Sequence, residues 1–458
     1  MTAPAVSAPA APRANPILSA PILPTILKLS TPNLMAMVAT AAVAIAETAY
    51  VGLLGTASLA GMALVFPVVM LQQMMSAGAM GGGVSSAVSR ALGAGDIERA
   101  RSLAFHTVLI ALGGGIGMSL LFVGVGPALY ALLGGRGAAL AEALTYSNVV
   151  FVGALAIWLC NLLASVVRGM GNMVVPSVIL LAVAGLQVVI GGGLGLGVGP
   201  IPRFGMAGVA AGQVIAYGLG AFALLAWLRS GRGRFVLPLV GVRPRWDHAA
   251  DILKVGTIAM VSSLQSVLTV LILTRLVARF GDAALAGYGI GSRLEFLLIP
   301  VTFAIGVSLV PMVGMAIGAG NAARARRAAW TGGAMAFLVT GAVGIAGWFF
   351  PEAWAGLFTR DPAVIAATAS YLTWAGPCFG FFGLGLCLYF AAQGAGRVIG
   401  PVLAGTARLV VIALGGWALV ATDQQPWAMF ALVGFAMAIY GAGSVLALWV
   451  TPWGRRPT

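Results

Sequence analysis

The feature that most constrains this chain is how it spaces its charges: between about Leu29 and Val450, roughly twelve apolar stretches are separated by short polar breaks. About 20 apolar residues in helical form cross the hydrocarbon core of a bilayer. No water reaches backbone N–H and C=O groups there, so each stretch must satisfy them internally, as a helix does. Only 8% of the 458 residues are charged and 60% are hydrophobic, whereas a soluble domain carries about 25% charged residues. The reading is an all-α polytopic membrane protein with twelve transmembrane helices and little chain left for a soluble domain. Spans are expected near 29–52, 58–89, 97–126, 140–168, 174–198 and 206–229, then near 250–279, 285–318, 322–350, 362–392, 398–420 and 427–450.

The net charge of +14 would suit a nucleic-acid partner if it were gathered on a soluble module, but the basic residues fall in alternate breaks. One set of breaks and the terminal segments hold Arg13, Lys28, Arg90, Arg99, Arg101, Arg168, Arg229, Arg232, Arg234, Arg243, Arg245, Lys254, Arg324, Arg326, Arg327, Arg397, Arg455 and Arg456. The other set holds Arg136, Arg203, Arg279 and Arg360. By the positive-inside rule the first set is cytoplasmic, which places both termini inside a cell or inner membrane. Residues 1–24 are expected as a disordered cytoplasmic tail without a signal peptide, 231–249 as a cytoplasmic linker and 453–458 as a second tail. The expected partners are small-molecule substrates and the bilayer, with no nucleic acid and no obligatory protein partner.

The chain repeats itself. ALGAGDIERAR from Ala91 returns 225 residues later as AIGAGNAARAR from Ala316, and RGMGNMVVP from Arg168 returns at the same offset as QGAGRVIGP from Gln393. Near that offset, GTASLAG from Gly55 returns as GDAALAG from Gly281. Three separated matches in corresponding breaks imply two pseudo-symmetric six-helix lobes, residues 25–230 and 250–452. An even number of spans per repeat puts the pseudo-two-fold axis along the membrane normal, with a cleft between lobes that rocking exposes to alternate sides.

No Gly-x-x-x-x-Gly-Lys-Ser/Thr motif is present, which argues against ATP-driven transport within the chain, and no catalytic or metal-ligand spacing is apparent. His106 and His248 read as interfacial residues, and Cys160, Cys378 and Cys387 as buried packing. No enzyme activity and no cofactor are expected. A secondary transporter needs a group within the membrane whose charge can change. Sorting the eleven acids by position sends Asp96, Glu98, Asp247 and Asp251 to cytoplasmic breaks and Glu142, Asp282, Glu352, Asp361 and Asp423 to outer ones. Glu47 and Glu295 remain, and an ionised carboxylate at that depth is costly. Glu47 has no basic neighbour in sequence and is the expected proton carrier; Glu295, two residues after Arg293, makes with it a secondary coupling candidate or a locally compensated pair. Tyr50, Met70, Gln73, Met74, Tyr146, Asn161, Gln187, Gln213, Gln265 and Arg408 are the candidates to line a substrate cavity. Each amide could equally bridge helices, and each methionine could face lipid.

Glu47-Thr48-Ala49-Tyr50-Val51-Gly52 with Gly55, the two Gly-Ala-Gly exits, RGMGN before Pro176 and AGYGIGSRLE from Ala286 together resemble the multidrug and toxic compound extrusion (MATE) family, from about Pro24 onward. The resemblance implies twelve helices in two bundles, a central cleft, and export of mainly cationic amphipathic compounds by antiport against protons or sodium. It implies that Glu47 stands where the family usually has Asp, that Pro32 is the bend-forming proline of the first span, and that Tyr146 is the family's fourth-span tyrosine. The family's fifth-span Asn-x-x-x-Asp reads here as Gln187 and Gly191, so one acid is missing. The regions of the family's seventh-span Glu and tenth-span Asp hold Gln265 or Ser266 and no acid. These losses favour protons over sodium, a hard cation that prefers several oxygen ligands. A sodium-coupled antiporter, a lipid-linked or natural-product flippase of related fold and, more remotely, a polytopic membrane enzyme are the alternatives. Orientation is directly testable: alkaline phosphatase fused to either terminus should be inactive, and a fluorescent protein at the same positions should fluoresce and resist external protease. Active phosphatase fusions would invert the assignment.

Overall fold

The computed structural model describes residues 16–200, 202–422 and 424–453. Eleven helices are long and apolar enough to cross a membrane, and a helix pair bent by 50° makes the twelfth span. They are α1 (Ile22–Leu54), α2 (Thr56–Gly93), α3 (Ile97–Leu132), α4 (Gly137–Val152 with Ala154–Gly169), α5 (Val174–Leu196) and α6 (Gly205–Arg229), then α7 (Trp246–Phe280), α8 (Asp282–Gly318), α9 (Ala322–Phe349), α10 (Pro362–Gly394), α11 (Ile399–Ala421) and α12 (Pro426–Val450). No strand occurs among the described residues. The protein is a multi-pass, all-α membrane protein. The expected spans are all present, several longer than the sequence indicated, because helical ends such as Trp246–Ala249 and Leu129–Leu132 continue past the expected limits.

The repeated motifs are the turns that the two lobes share. Asp96 and Asn321 each accept a hydrogen bond from the backbone N–H three residues on, of Arg99 and Arg324, both at 2.9 Å. These side chains cap α3 and α9. The preceding Gly95 and Gly320 hold φ of +76° and +75°, in the left-handed region that glycine enters without steric cost. Gly61 and Gly287, which close the third motif, allow close contact of a different kind. A methyl on Gly61 would press on the backbone of α4, and one on Gly287 on the backbone of α10.

The lobes are fastened at the end that carries most of the arginines. Residues 78–89 of α2, 161–169 of α4, 308–316 of α8 and 387–394 of α10 are buried on every side there. Gly93 lies against the backbone of Met315 and Gly318 against the backbone of Arg90, a reciprocal pair of contacts about the pseudo-two-fold axis. The Ser86 hydroxyl donates to Gly394 O at 3.1 Å, the Gln393 amide to Gly78 O at 3.2 Å, and Ser30 to Ser308 at 3.2 Å. Asp251 of α7 receives Arg90 of α2 and Arg99 of α3, both at 2.9 Å. Both histidines lie in this seam: the Ser102 hydroxyl meets His248 Nδ1 at 2.7 Å, and the Arg245 N–H donates to His106 Nε2 at 2.8 Å. Toward the opposite end the burial of α2 narrows to one face, at Ser58, Gly61, Val65, Val68 and Gln72. The lobes touch little there.

The start of the chain corrects one expectation. Residues 16–24, assigned above to a disordered tail, are largely helical: Pro16–Ser19 form one turn and α1 already begins at Ile22. The reason is a contact that local sequence does not encode. Ile17 is buried with Met312, Val313 and Met315 of α8, and the Arg324 guanidinium donates to Ile17 O at 2.8 Å and to Ala20 O. Residues 1–15 and 454–458, with Arg13, Arg455 and Arg456, lie outside the described residues, as does Asp423.

Overpacking a tight site costs about 1–3 kcal/mol. Gly93→Leu and Gly318→Leu should each lower the unfolding midpoint in detergent by that measure. Gly117→Leu on α3, where a side chain meets open space, should leave it unchanged.

Candidate functional site

Each lobe buries one carboxylate among polar side chains. In the first lobe Glu47, on the last two turns of α1, is 6% exposed, and its Oε1 accepts a 2.7 Å hydrogen bond from the Gln187 amide of α5. No basic side chain pairs with it among the described residues. Tyr50, one turn on, keeps its hydroxyl buried without a well-aligned hydrogen-bond partner, although it is within electrostatic reach of Glu47. That hydroxyl lies against Gly191, where an added Cβ would stand 3.1 Å from it. The phenol therefore occupies the space that a side chain at 191 would need. The amide–hydroxyl network continues inward. Tyr146 of α4 donates to Gln213 Oε1 of α6 at 3.2 Å. Asn161 of α4 donates to Gln73 Oε1 at 2.9 Å and to Ser76 at 2.8 Å, and Gln73 donates to the Tyr217 hydroxyl at 2.8 Å. Tyr146 and Tyr217 are also within electrostatic reach of Glu47.

Backbone irregularity helps to gather these groups. Residues Met74–Met80 of α2 form a π-helical segment directly after Gln73, turning Ser76 toward Asn161. Such segments insert an extra residue per turn and concentrate at functional sites. Pro32 lies within the continuous α1, where its missing N–H leaves one helical carbonyl unpaired. The next residue, Asn33, is held from both sides, donating to Met173 Sδ at 3.4 Å and accepting from the Ser177 hydroxyl at 3.2 Å.

In the second lobe Glu295 of α8 is 8% exposed. The Tyr371 hydroxyl of α10 donates to its Oε2 at 3.1 Å, and Arg408 Nη2 of α11 lies 3.9 Å from its Oε1. Arg408 also stands over the rings of Phe382 and Tyr440, 5.0 and 5.9 Å from their centroids, and its Nε is buried without a partner. The adjacent pairing read from the sequence fails here. Arg293 is exposed and stacks on Phe358 at 5.3 Å, because two residues along a helix separate side chains by about 200°. Arg408 takes that role, as its costly position in the eleventh span implied.

The remaining cavity candidates divide. Gln265 donates to Thr406 at 2.7 Å within the second lobe while its Oε1 stays buried without a partner. Met70 is 45% exposed and Met74 half-buried on α2. Met80, one of the same methionine run, is buried against Gly256 in the seam. Tyr217, Ser76, Asn33 and Tyr371 were missed. Tyr217 follows Gln213 by four residues, a spacing that puts both on one helix face and could have flagged it; Tyr371 carries no comparable sequence signal. Among the described residues no group of His, Cys, Asp and Glu converges as a metal site.

Two lobes of six membrane-spanning helices, each with a buried carboxylate in a polar network, have the frame of a membrane transporter. The MatE family model matches residues 32–191 and 258–417, one match per lobe, and the chain belongs to that family. It is 26% identical over 407 residues to the FAD transporter of Shewanella oneidensis, covering 87% of this chain and 88% of that one. It is 26% identical to the probable multidrug resistance protein NorM of Thermotoga maritima, covering 82% and 81%. With the multidrug export protein MepA of Staphylococcus aureus it shares 26% over about half of each chain, 51% and 51%. A MOP superfamily transporter from Pyrococcus furiosus has the same fold, with a TM-score of 0.85 at 22% identity over 94% of this chain and 96% of that one. An outward-facing MATE transporter structure gives 0.82 at 22% over 93% and 94%.

Removing one member of a buried ion pair leaves an uncompensated charge, at a cost of about 3–5 kcal/mol. Arg408→Met should destabilise the protein by that order in thermal unfolding. Adding Glu295→Gln should restore most of it, and a double variant no more stable than Arg408→Met would show that the two side chains do not interact.

Proposed function

We propose that the protein is a secondary active multidrug exporter that expels mainly cationic amphipathic compounds in exchange for protons, with Glu47 as the proton-coupling group. The supporting observation is the Glu47 site itself: a buried carboxylate with no cationic partner among the described residues, held by an amide donor from Gln187. Such a group is costly when ionised and is relieved by a proton or by a cationic substrate. Coupling follows if proton and substrate compete for it and favour different lobe arrangements. Sodium is disfavoured because Gln187 presents its amide N–H to the carboxylate and position 191 is glycine, so no second carboxylate stands beside Glu47 to help hold a hard cation.

With the arginine-rich end placed in the cytoplasm, the seam of Gly93, Gly318 and Asp251 is a closed inner gate and the cleft faces outward. Protonation of Glu47 from outside would precede opening of that seam. The Tyr146–Gln213 and Asn161–Gln73–Tyr217 networks would supply polar points in an otherwise apolar cavity, the usual composition of a site that accepts varied ligands. A second reading, export of a flavin dinucleotide, rests on the relative from S. oneidensis. It calls for cations to meet the phosphates, and Arg408, the cationic candidate for the cavity, is engaged by Glu295.

In proteoliposomes with proton and sodium gradients imposed separately, a cationic dye should be exported only with the proton gradient. Glu47→Gln should fold and insert but lose uphill export, by about a hundredfold or more. Undiminished proton-dependent export by Glu47→Gln would remove Glu47 from the mechanism. Uphill export of FAD with no dye transport would favour the second reading.

A further inference from the structure

Two histidines sit inside the seam, and the coupling chemistry at Glu47 uses neither. His106 of α3 and His248 of α7 are 2% and 7% exposed, with ring centroids 5.8 Å apart and planes crossed at 83°. Their hydrogen bonds form one chain between the lobes. The Arg245 backbone N–H donates to His106 Nε2 at 2.8 Å. His106 Nδ1 lies 2.7 Å from the Ser102 carbonyl oxygen, which can only accept. The Ser102 hydroxyl meets His248 Nδ1 at 2.7 Å, and His248 Nε2 lies 3.7 Å from Asp247 Oδ2.

These contacts fix the protonation of one ring and leave the other free. His106 accepts at Nε2 and donates at Nδ1, so it carries a single proton. An imidazolium, with an N–H at both nitrogens, would set its Nε2–H against the Arg245 N–H. His248 has no such restriction, because the Ser102 hydroxyl can either donate to its Nδ1 or accept from it. An imidazolium at His106 would also lack an acid of its own. On the α7 side Asp247 is taken by Arg245, and Asp251 by Arg90 of α2 and Arg99 of α3. Arg101 of α3 pairs with Glu98, while α4 and the linker bring further cations to this end, Arg168 and Arg243.

We propose that His106 is a pH-sensitive latch: neutral, it holds the linker and the start of α7 on α3, and a proton on Nε2 releases them. Imidazole is the side chain whose charge changes between pH 5 and 8. The sign follows from which form makes the bond. The contact is present above the titration of His106 and is lost as the pH falls through it. The latched segment leads directly into Asp251 and its two arginines, so release loosens the seam and ties the balance of lobe arrangements to the pH on the arginine-rich side. This latch is independent of which compound the protein exports or which ion drives it.

The test reads the latched bond itself, by backbone hydrogen exchange of the full chain in detergent micelles. The Arg245 N–H precedes the first turn of α7, where no helical carbonyl is available to it, so its protection depends on His106. After correction for the pH dependence of free amides, protection at Arg245 should fall about tenfold between about pH 7.5 and about pH 5.5, the change in the neutral fraction of a free imidazole. In His106→Gln, whose amide oxygen can accept the same bond without titrating, protection should be equal at both values. In His106→Phe it should be low at both, and His248→Gln should keep the pH dependence of the wild type. Unchanged wild-type protection across that interval would overturn the proposal, and needs no variant to fold. A full pH dependence surviving in His106→Gln would overturn it as well, by assigning the titration to another group.

Discussion

Everything else in this structure rests on how closely α2 and α8 approach each other at the arginine-rich end. In a bilayer, lipid tails are as apolar as leucine, so two helices gain little by hiding hydrophobic surface from their surroundings. They gain instead by bringing backbones near enough for dense van der Waals contact, and that requires residues without side chains at the crossing. Gly93 against Met315 and Gly318 against Arg90 meet that requirement twice, by symmetry. With the crossing fixed, the polar contacts of Ser86, Gln393 and Asp251 fall into place around it, and the splay of the lobes at the other end follows.

The sequence showed the framework more clearly than the chemistry, for a physical reason. Apolar length and the glycine turns are local properties, so the spans and the repeat could be read directly, although the Asp96 and Asn321 caps were not. Buried polar partnerships depend on which helix faces which. Glu47 was legible because few acids can be placed so deep, and Arg408 because an arginine within a span demands explanation. That Arg408 answers Glu295 across two helices, while the neighbouring Arg293 points away, is set by packing that no local pattern encodes. The same holds for Gln187 reaching Glu47 and for Ile17 settling on the second lobe.

Symmetry of framework and asymmetry of charge coexist here. The counterpart of Glu47 at the 226-residue offset is Leu273, buried in the second lobe's core. That lobe buries its carboxylate on α8, beside an arginine; the first leaves its own on α1 with an amide donor from Gln187 and the neighbouring Tyr50 phenol. The two environments differ in kind. One carboxylate has a guanidinium within 4 Å and the other, among the described residues, has none. Tyr50, filling the room left by Gly191, keeps the unpaired site compact without adding a second acid.

The fastening of residues 17–20 to Arg324 and to α8 has a consequence for how the chain is assembled. Ile17 and Ile26 belong to the same buried cluster as Leu309, Met312 and Ala329, residues made after the first lobe and the linker have emerged. During synthesis, α1 must wait through seven more spans before its N-terminal end acquires a docking surface. The first lobe is thus first in birth order and not the first to be finished. A ribosome-bound intermediate containing only that lobe would present the base of α1 as an unsatisfied apolar edge, the point at which membrane chaperones would be expected to act.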